Sequence, residues 1–430
     1  QTYIAVRVGG KNDPAETTGL AHYFEHLMFK GTQQFGTQNY EQEKPMLDQI
    51  EQLFEVYRKT TDEAERQAIY HQIDSVSYEA SKLAIPNEYD KLMSAIGATG
   101  TNAYTGFDQT VYVEDIPSNQ IDNWAKIQAD RFENNVIRGF HTELETVYEE
   151  KNMSLTSDGR KVYEAVLTAL FPDHPYGTQT VLGTQENLKN PSITNIKNYH
   201  KTWYVPNNMA ICLSGDPDQM IETINKYFGH LKPNPNLPKL PVTHESPIKA
   251  PVIKEVLGVD AENVTLGWRF PGAASPDQDL LNLTGEIINN GKAGLLDIDL
   301  VQQQKVLSCY AGTYGMSDYN AFVISGRPKQ GQTLDEVKDL FLAEIDKLKK
   351  GEFDEGLLEA AINNYKLMQM YRMDRNDGRA DMFVSSFIDG VDWKDEVASL
   401  DRMSKVTKQQ IVDFANKYFG DNYALIYKKQ

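Results

Sequence analysis

Between residues 231 and 251 the chain carries six of its 18 prolines: Pro233, Pro235, Pro238, Pro241, Pro247 and Pro251. No regular helix or interior strand tolerates proline at that density, so the stretch reads as an extended linker. It divides the 430 residues into a first domain over 1–232 and a second over 252–430, joined by a linker at 233–251. Each piece is long enough to bury its own core. In the first, strands are expected at 2–8, 109–114 and 209–214 and helices near 119–134 and 141–156. In the second, Val264-Thr265-Leu266-Gly267-Trp268 opens a similar strand-then-helix succession. The fold class that follows is α+β in both halves.

Within the first piece, His22-Tyr23-Phe24-Glu25-His26 carries the chemistry. Thr17 or Thr18 can cap a helix there, Leu20, Phe24 and Leu27 form its apolar stripe, and Gly31 can end it. On such a helix His22 and His26 stand one turn apart, able to share one ion, and Glu25 reaches the same side. H-x-x-E-H is the inverted signature of a zinc hydrolase, with Glu25 as general base. A solvated helix face is the plain alternative for five such residues. Two histidines leave a catalytic zinc short of one protein ligand, and Glu143, Glu145, Glu149 and Glu150 offer four carboxylates on one predicted helix. Glu143 and Glu150, seven apart, share a face; Glu145 and Glu149 point elsewhere.

Composition narrows the rest. With 43 basic against 61 acidic residues, the net charge of −18 argues against nucleic acid or an anionic membrane as partner. No apolar run reaches the roughly 18 residues of a membrane span. Cys212 and Cys309, the only cysteines, give neither a disulfide framework nor a cysteine zinc site, and fit a cytosolic or periplasmic setting alike. There is no GxSxG elbow and no phosphate-loop pattern. Between Tyr40 and Asp90, Leu47, Ile50, Leu53, Phe54 and Tyr57, then Ile69, Ile73 and Val76, recur at helical spacing on either side of Thr60-Thr61-Asp62. This reads as a helical hairpin inserted over about 41–90, either a lid or docking arm, or a surface decoration. From Ala98 to Val113, small residues and Asn102 precede the alternating Thr110-Val111-Tyr112-Val113, as in an exposed edge strand to which an extended peptide could add. Tyr104 and Phe107 could line a side-chain pocket there, or simply pack.

The fourteen residues from Gly19 to Thr32 resemble the active-site helix of the pitrilysin/insulinase family of zinc metallopeptidases, in the two-domain form of its processing-peptidase-type members. The likeness continues through Gly100-Thr101-Asn102-Ala103-Tyr104-Thr105, through Glu143 to Glu150, and through Tyr204-Val205-Pro206-Asn207-Asn208-Met209. It covers most of the first half and, more loosely, the second. It implies two similar domains, each a mixed, mostly antiparallel sheet packed with helices, together forming one half of a clamshell peptidase whose second domain lacks the metal. The family's E-x6-E motif matches Glu143 and Glu150 and implies Glu150 as the third zinc ligand and Glu143 as support, with Glu149 the fallback. One zinc ion per chain is expected, although a His/His/Glu set also accepts cobalt or manganese. Asn102 and Ala103 are expected to hold the substrate backbone, beside Tyr104 and Phe107.

The expected partners are short or unfolded peptides and a second two-domain half, supplied by a homodimer, a heterodimer or the rest of a longer chain. The resemblance also implies one or two strands ahead of the opening one, so the natural chain is expected to begin upstream, and similar sequences favour a periplasmic or exported bacterial protein. The competing function is a non-catalytic assembly or peptide-binding subunit, since some relatives keep the fold and lose the chemistry. Such subunits typically lose the metal motif, which is present here.

Overall fold

In the computed structural model, which describes residues 1–215 and 217–430 and, within them, every side chain but those of Pro217 and Asp218, the opening strand β1 (Thr2–Val6) lies inside a four-stranded sheet. Its neighbours are β3 (Thr110–Asp115) on one side and β4 (Met209–Leu213) on the other, with β2 (Thr99–Thr105) outermost, in the order β2-β3-β1-β4. All three pairings are antiparallel, and Ile4 faces Tyr112 across one and Ile211 across the other. Ile4, Ala5 and Val6 are fully buried, as befits an interior strand covered on both faces. The sheet ends in two edge strands, β2 and β4. Thr110 to Val113, expected at an exposed edge, lies instead between β2 and β1 and is largely buried, because the small-residue run ahead of it forms a strand of its own.

Helix α1 (Leu20–Leu27) follows β1, and Leu20, Phe24 and Leu27 point into the core. Next come α2 (Tyr40–Lys59) and α3 (Glu63–Ser81), with Asn39 and Asp62 capping their first turns through their side-chain oxygens. Ile50, Phe54, Ile69 and Ile73 of this hairpin are buried in the same core as α1. The hairpin is therefore built into the domain through an apolar stripe. Helix α4 (Glu88–Ala95) leads to β2, and α5 (Ile121–Glu133) and α6 (Phe140–Thr156) follow β3.

A second sheet is assembled from β5 (Val252–Leu257), β6 (Asn263–Pro271), β7 (Ser308–Tyr314), β8 (Tyr319–Arg327) and β9 (Tyr423–Lys429) in the order β5-β9-β6-β8-β7. Without β5, which alone runs parallel to its neighbour, the order β7-β8-β6-β9 repeats β2-β3-β1-β4. The helix Gln278–Ile288 follows β6 as α1 follows β1, and it contains no histidine. The second sheet thus repeats the first without the metal motif.

The chain forms two compact units, and their division is not linear. One comprises 1–152, 179–240 and 376–384; the other 153–178, 241–375 and 385–430. One boundary falls within the proline-rich stretch, which has no regular secondary structure beyond a turn. Residues 153–178 leave the first domain expected at 1–232 because α7 (Asp158–Leu170) buries Val162, Val166, Leu167 and Leu170 against the second sheet. Gly267 of β6 makes room for it: a Cβ there would lie 3.1 Å from a Val166 methyl. Asp158 then pairs with the fully buried Lys428 of β9 at 3.0 Å. Residues 376–384 join the first unit, where Asn376 and Arg379 hydrogen-bond the Ser214 hydroxyl. Cys212 and Cys309 are free thiols, and no described helix is long and apolar enough to cross a membrane.

Candidate metal centre

The metal helix begins without a threonine cap. Gly19 occupies the cap position with φ +88°, a left-handed conformation that a side chain would strain. The first turn is held from six residues upstream, where Asp13 accepts the Gly19 N–H at 2.8 Å on one oxygen and the Ala21 N–H at 3.0 Å on the other. Burial pushes the Asp13 carboxyl up to about 8, against the backbone N–H groups of residues 19–21 that pull it down. Thr18 bonds Asn187 instead. The helix ends at Leu27, and Gly31 serves the following loop. There the Met28 carbonyl accepts from Arg131 Nε at 2.9 Å, a cation at the negative end of the helix dipole.

His22 and His26 stand one turn apart, their rings edge-to-face with centroids 4.7 Å apart. Glu150 Oε2, from α6, lies 3.5 Å from Nε2 of each. These three are the group of metal-capable side chains found among the described residues, with donor atoms all within 4.8 Å of one another. A tetrahedral zinc with bonds of ~2.1 Å holds its donors roughly 3.4 Å apart, so two of the three spacings fit the ion with little adjustment. His26 Nδ1 is 2.8 Å from Glu143 Oε1, which assigns the ring proton to Nδ1 and leaves the Nε2 lone pair facing Glu150. Lys30, one turn beyond His26, pairs with the other oxygen of Glu143. Glu149, the fallback ligand, is exposed on another face of α6 and accepts from Asn152. It takes no part in the cluster.

Glu25 is 7 % exposed and accepts the Thr105 hydroxyl at 2.5 Å. Burial raises its carboxyl above the usual range, opposed by the Thr105 bond and by His26. Burial pulls His26 down, but the Glu143 hydrogen bond and the carboxylates of Glu150 and Glu25 outweigh it and raise the imidazole overall. Burial would lift Glu143, yet its bonds to His26 and Lys30 hold it below the ordinary carboxylate range. Three carboxylates around two imidazoles make a place that favours positive charge, whether a proton or a metal ion.

Of the expected substrate residues, Asn102, Ala103 and Tyr104 lie on β2. Alternation along the strand puts Ala103 with Thr105 on the face toward α1 and the core, while the exposed Asn102 and Tyr104 turn to the opposite face. What β2 offers is thus its unpaired backbone edge. Phe107, read from the sequence as either a pocket wall or a packed side chain, is 7 % exposed in the turn between β2 and β3. Its carbonyl accepts the Lys11 N–H. Thr105, Asp13 and Lys30 were not singled out by sequence reasoning. Thr105 closes the Asn102-Ala103-Tyr104-Thr105 string and Lys30 follows His26 at i+4, so both had a local signal; Asp13 had none.

The family model described as Peptidase M16 inactive domain matches residues 192–365, and that described as Insulinase (Peptidase family M16) matches residues 2–50. Together they cover about half of the chain. His22, Glu25 and His26 fall in the second match, and none of the cluster falls in the first. The chain is 24% identical over 379 residues to the zinc protease PqqE of Helicobacter pylori, covering 83% of this chain and 82% of that one. A crystal structure of a protease from Helicobacter pylori superposes with a TM-score of 0.82 at 20% identity, over 100% of this chain and 94% of that one. The periplasmic protease PqqL from Escherichia coli does so with a TM-score of 0.72 at 13% identity, over 100% of this chain but 44% of its own. This chain therefore spans less than half the length of PqqL.

Proposed function

This chain belongs to the M16 (insulinase) family of peptidases, and from that premise we propose that it is a zinc-dependent endopeptidase acting on short or unfolded peptides, with His22, His26 and Glu150 as the metal ligands. The observation that carries the proposal is the convergence of Glu150 on both Nε2 atoms beside a buried, proton-affine Glu25. A zinc ion bound there supplies Lewis-acid polarisation of the scissile carbonyl and acidification of water. Glu25 takes the proton from the attacking water and passes it to the leaving amine. Its raised affinity for protons suits both steps, and Thr105 fixes which oxygen stays in place. Glu143 orients His26 by accepting its Nδ1 proton. The substrate backbone pairs with the free edge of β2, next to Thr105, which favours extended peptides with little demand on their side chains.

A non-catalytic reading takes its support from the match described as an inactive domain. That match begins at residue 192, beyond every member of the cluster, and so describes a part of the chain that supplies none of the chemistry. The proposal further takes the chain to be one half of a chamber, since PqqL is more than twice its length. Turnover of a quenched-fluorescent peptide mixture tests the reading. We expect cleavage that a chelator abolishes and zinc restores, and a Glu25→Gln variant that retains one zinc per chain while losing at least about a hundredfold in turnover. Undiminished turnover in that variant, or no zinc bound by the wild type, would overturn it.

A further inference from the structure

The inserted hairpin is tied to the loop after α1 through a buried ion pair, and to α6 through Asp74 and Tyr70, which meet His141. Glu43, in the first turn of α2, is fully buried and meets Arg138 through two bonds: Nε to Oε1 at 2.6 Å and Nη2 to Oε2 at 2.8 Å. The guanidinium has other work. Arg138 Nη1 donates to the Lys30 carbonyl at 2.7 Å and Nη2 to the Thr32 carbonyl at 3.0 Å, so it grips the loop that leaves the metal helix. That loop is moulded to it. Gly31 and Gly36 have φ of +98° and +86°, and a Cβ on either would come within 3.0 Å of Arg138 Nη1. Lys30, held at its carbonyl by Arg138, pairs through its ammonium with Glu143, and Glu143 bonds His26.

We propose that Glu43 and Arg138 are positioning residues for the metal centre, and that the hairpin of α2 and α3 braces the metal helix instead of acting as a lid. The proposal rests on the metal-site reading above. Packing here is not continuous: a cavity of about 370 Å³ is lined by Phe29, Leu47, Ile85 and Phe140 together with Glu43 and Arg138, so the ion pair bridges at its wall. A fork-to-fork arginine–carboxylate pair is directional. It fixes where Arg138 sits, hence where residues 30–32 run, and hence the reach of Lys30 to Glu143. A free lid would expose its inner face and make no such bonds. Here Ile50, Phe54, Ile69 and Ile73 are buried, and Glu51 and Glu55 add polar anchors to Thr194 and Ser192.

The test compares zinc affinity, by competition with a chromophoric chelator, and the visible spectrum of the cobalt-substituted protein, with thermal melting as the control for folding. Glu43→Gln should fold, lose about tenfold in zinc affinity, as partners behind a ligand typically do, and shift the cobalt bands. Lys30→Met should do the same, and the double variant should be no weaker than the weaker single one, because both act along one path. Glu51→Gln loosens the hairpin at an anchor away from this path and should leave affinity and spectrum unchanged. Should Glu43→Gln not fold, Glu43→Asp keeps the charge, breaks the two-bond match and carries the same expectation. Wild-type affinity and spectrum in a folded Glu43 variant would overturn the proposal, as would additive losses or an equal loss in Glu51→Gln. A wild type that binds no zinc would instead refute the metal-site reading itself.

Discussion

At Thr105 a single hydroxyl joins the strand proposed to bind peptide to Glu25, the proposed general base. Its 2.5 Å bond to Glu25 is a neutral donor to a carboxylate, the kind of bond that contributes about 1.5–3 kcal/mol when the acceptor is charged. Thr105→Val removes the donor and keeps the shape. Peptide turnover should fall by about tenfold or somewhat more, with zinc content unchanged and with Thr105→Ser restoring most of the rate; stoichiometric zinc with undiminished turnover in the valine variant would show that the bond does not matter to the base. The histidines and Glu25 were legible in five consecutive residues because a helix brings i, i+3 and i+4 together. Glu143 and Glu150 were legible once their spacing of seven met a known motif. The remaining partners were not, for a physical reason: Thr105 and Glu25 are 80 residues apart, and Arg138 and Glu43 are 95 apart. Such pairs are set by tertiary packing, on which local periodicity is silent. Phe107 was open for a related reason: an aromatic residue beside a predicted edge strand looks the same in sequence whether it faces a ligand or packs.

Helix α1 owes its start to a buried carboxylate outside it, and that gives stability a dependence on pH. Burial holds the Asp13 carboxyl at about 8, above its ordinary 3.8. The folded state therefore binds this proton more tightly than the unfolded state. Its contribution is full below about pH 4 and is lost as pH rises through about 8. Asp13→Asn cannot ionise and keeps one of the two accepted N–H bonds. Denaturant unfolding of chelator-treated protein should show the wild type more stable than Asp13→Asn by about 1 kcal/mol at acidic pH, with the gap closing toward alkaline pH. A gap that widens as pH rises would sink the assignment. Among the elements, the apolar stripes of α1 and of the hairpin were readable because each matches a helical period that the core then buries. The allegiance of α7 was not readable, since an amphipathic helix declares which face it buries and not which sheet receives it. Gly267, which makes room for Val166, gives the receiving surface its shape and looks in sequence like an ordinary strand glycine.

For the whole molecule, the repeat of β2-β3-β1-β4 by β7-β8-β6-β9 shows one sheet plan used twice, with the histidine–glutamate cluster beside one copy only. The proline-rich stretch announced two domains, and the repeat was accessible only through the family resemblance, because strand order is a tertiary property. The metal cluster sits in a setting that is only partly enclosed: the Glu150 side chain is 41% exposed, and β2 presents an unpaired edge. The proposed hydrolysis, in a water-excluding site, would need more cover than these residues supply themselves. PqqL, of which this chain matches 44%, is long enough to carry a second such half within one chain; for these 430 residues by themselves, the proposed cover is a second chain. Peptide turnover per chain should therefore fall on dilution, and sedimentation should find the activity in a species of at least two chains or in a complex with a separate half. A monomer that keeps full specific activity across a hundredfold dilution, about as wide a range as a pair held at micromolar strength would survive only in part, would mean that one half cleaves unaided and that the exposed edge of β2 is a complete binding site.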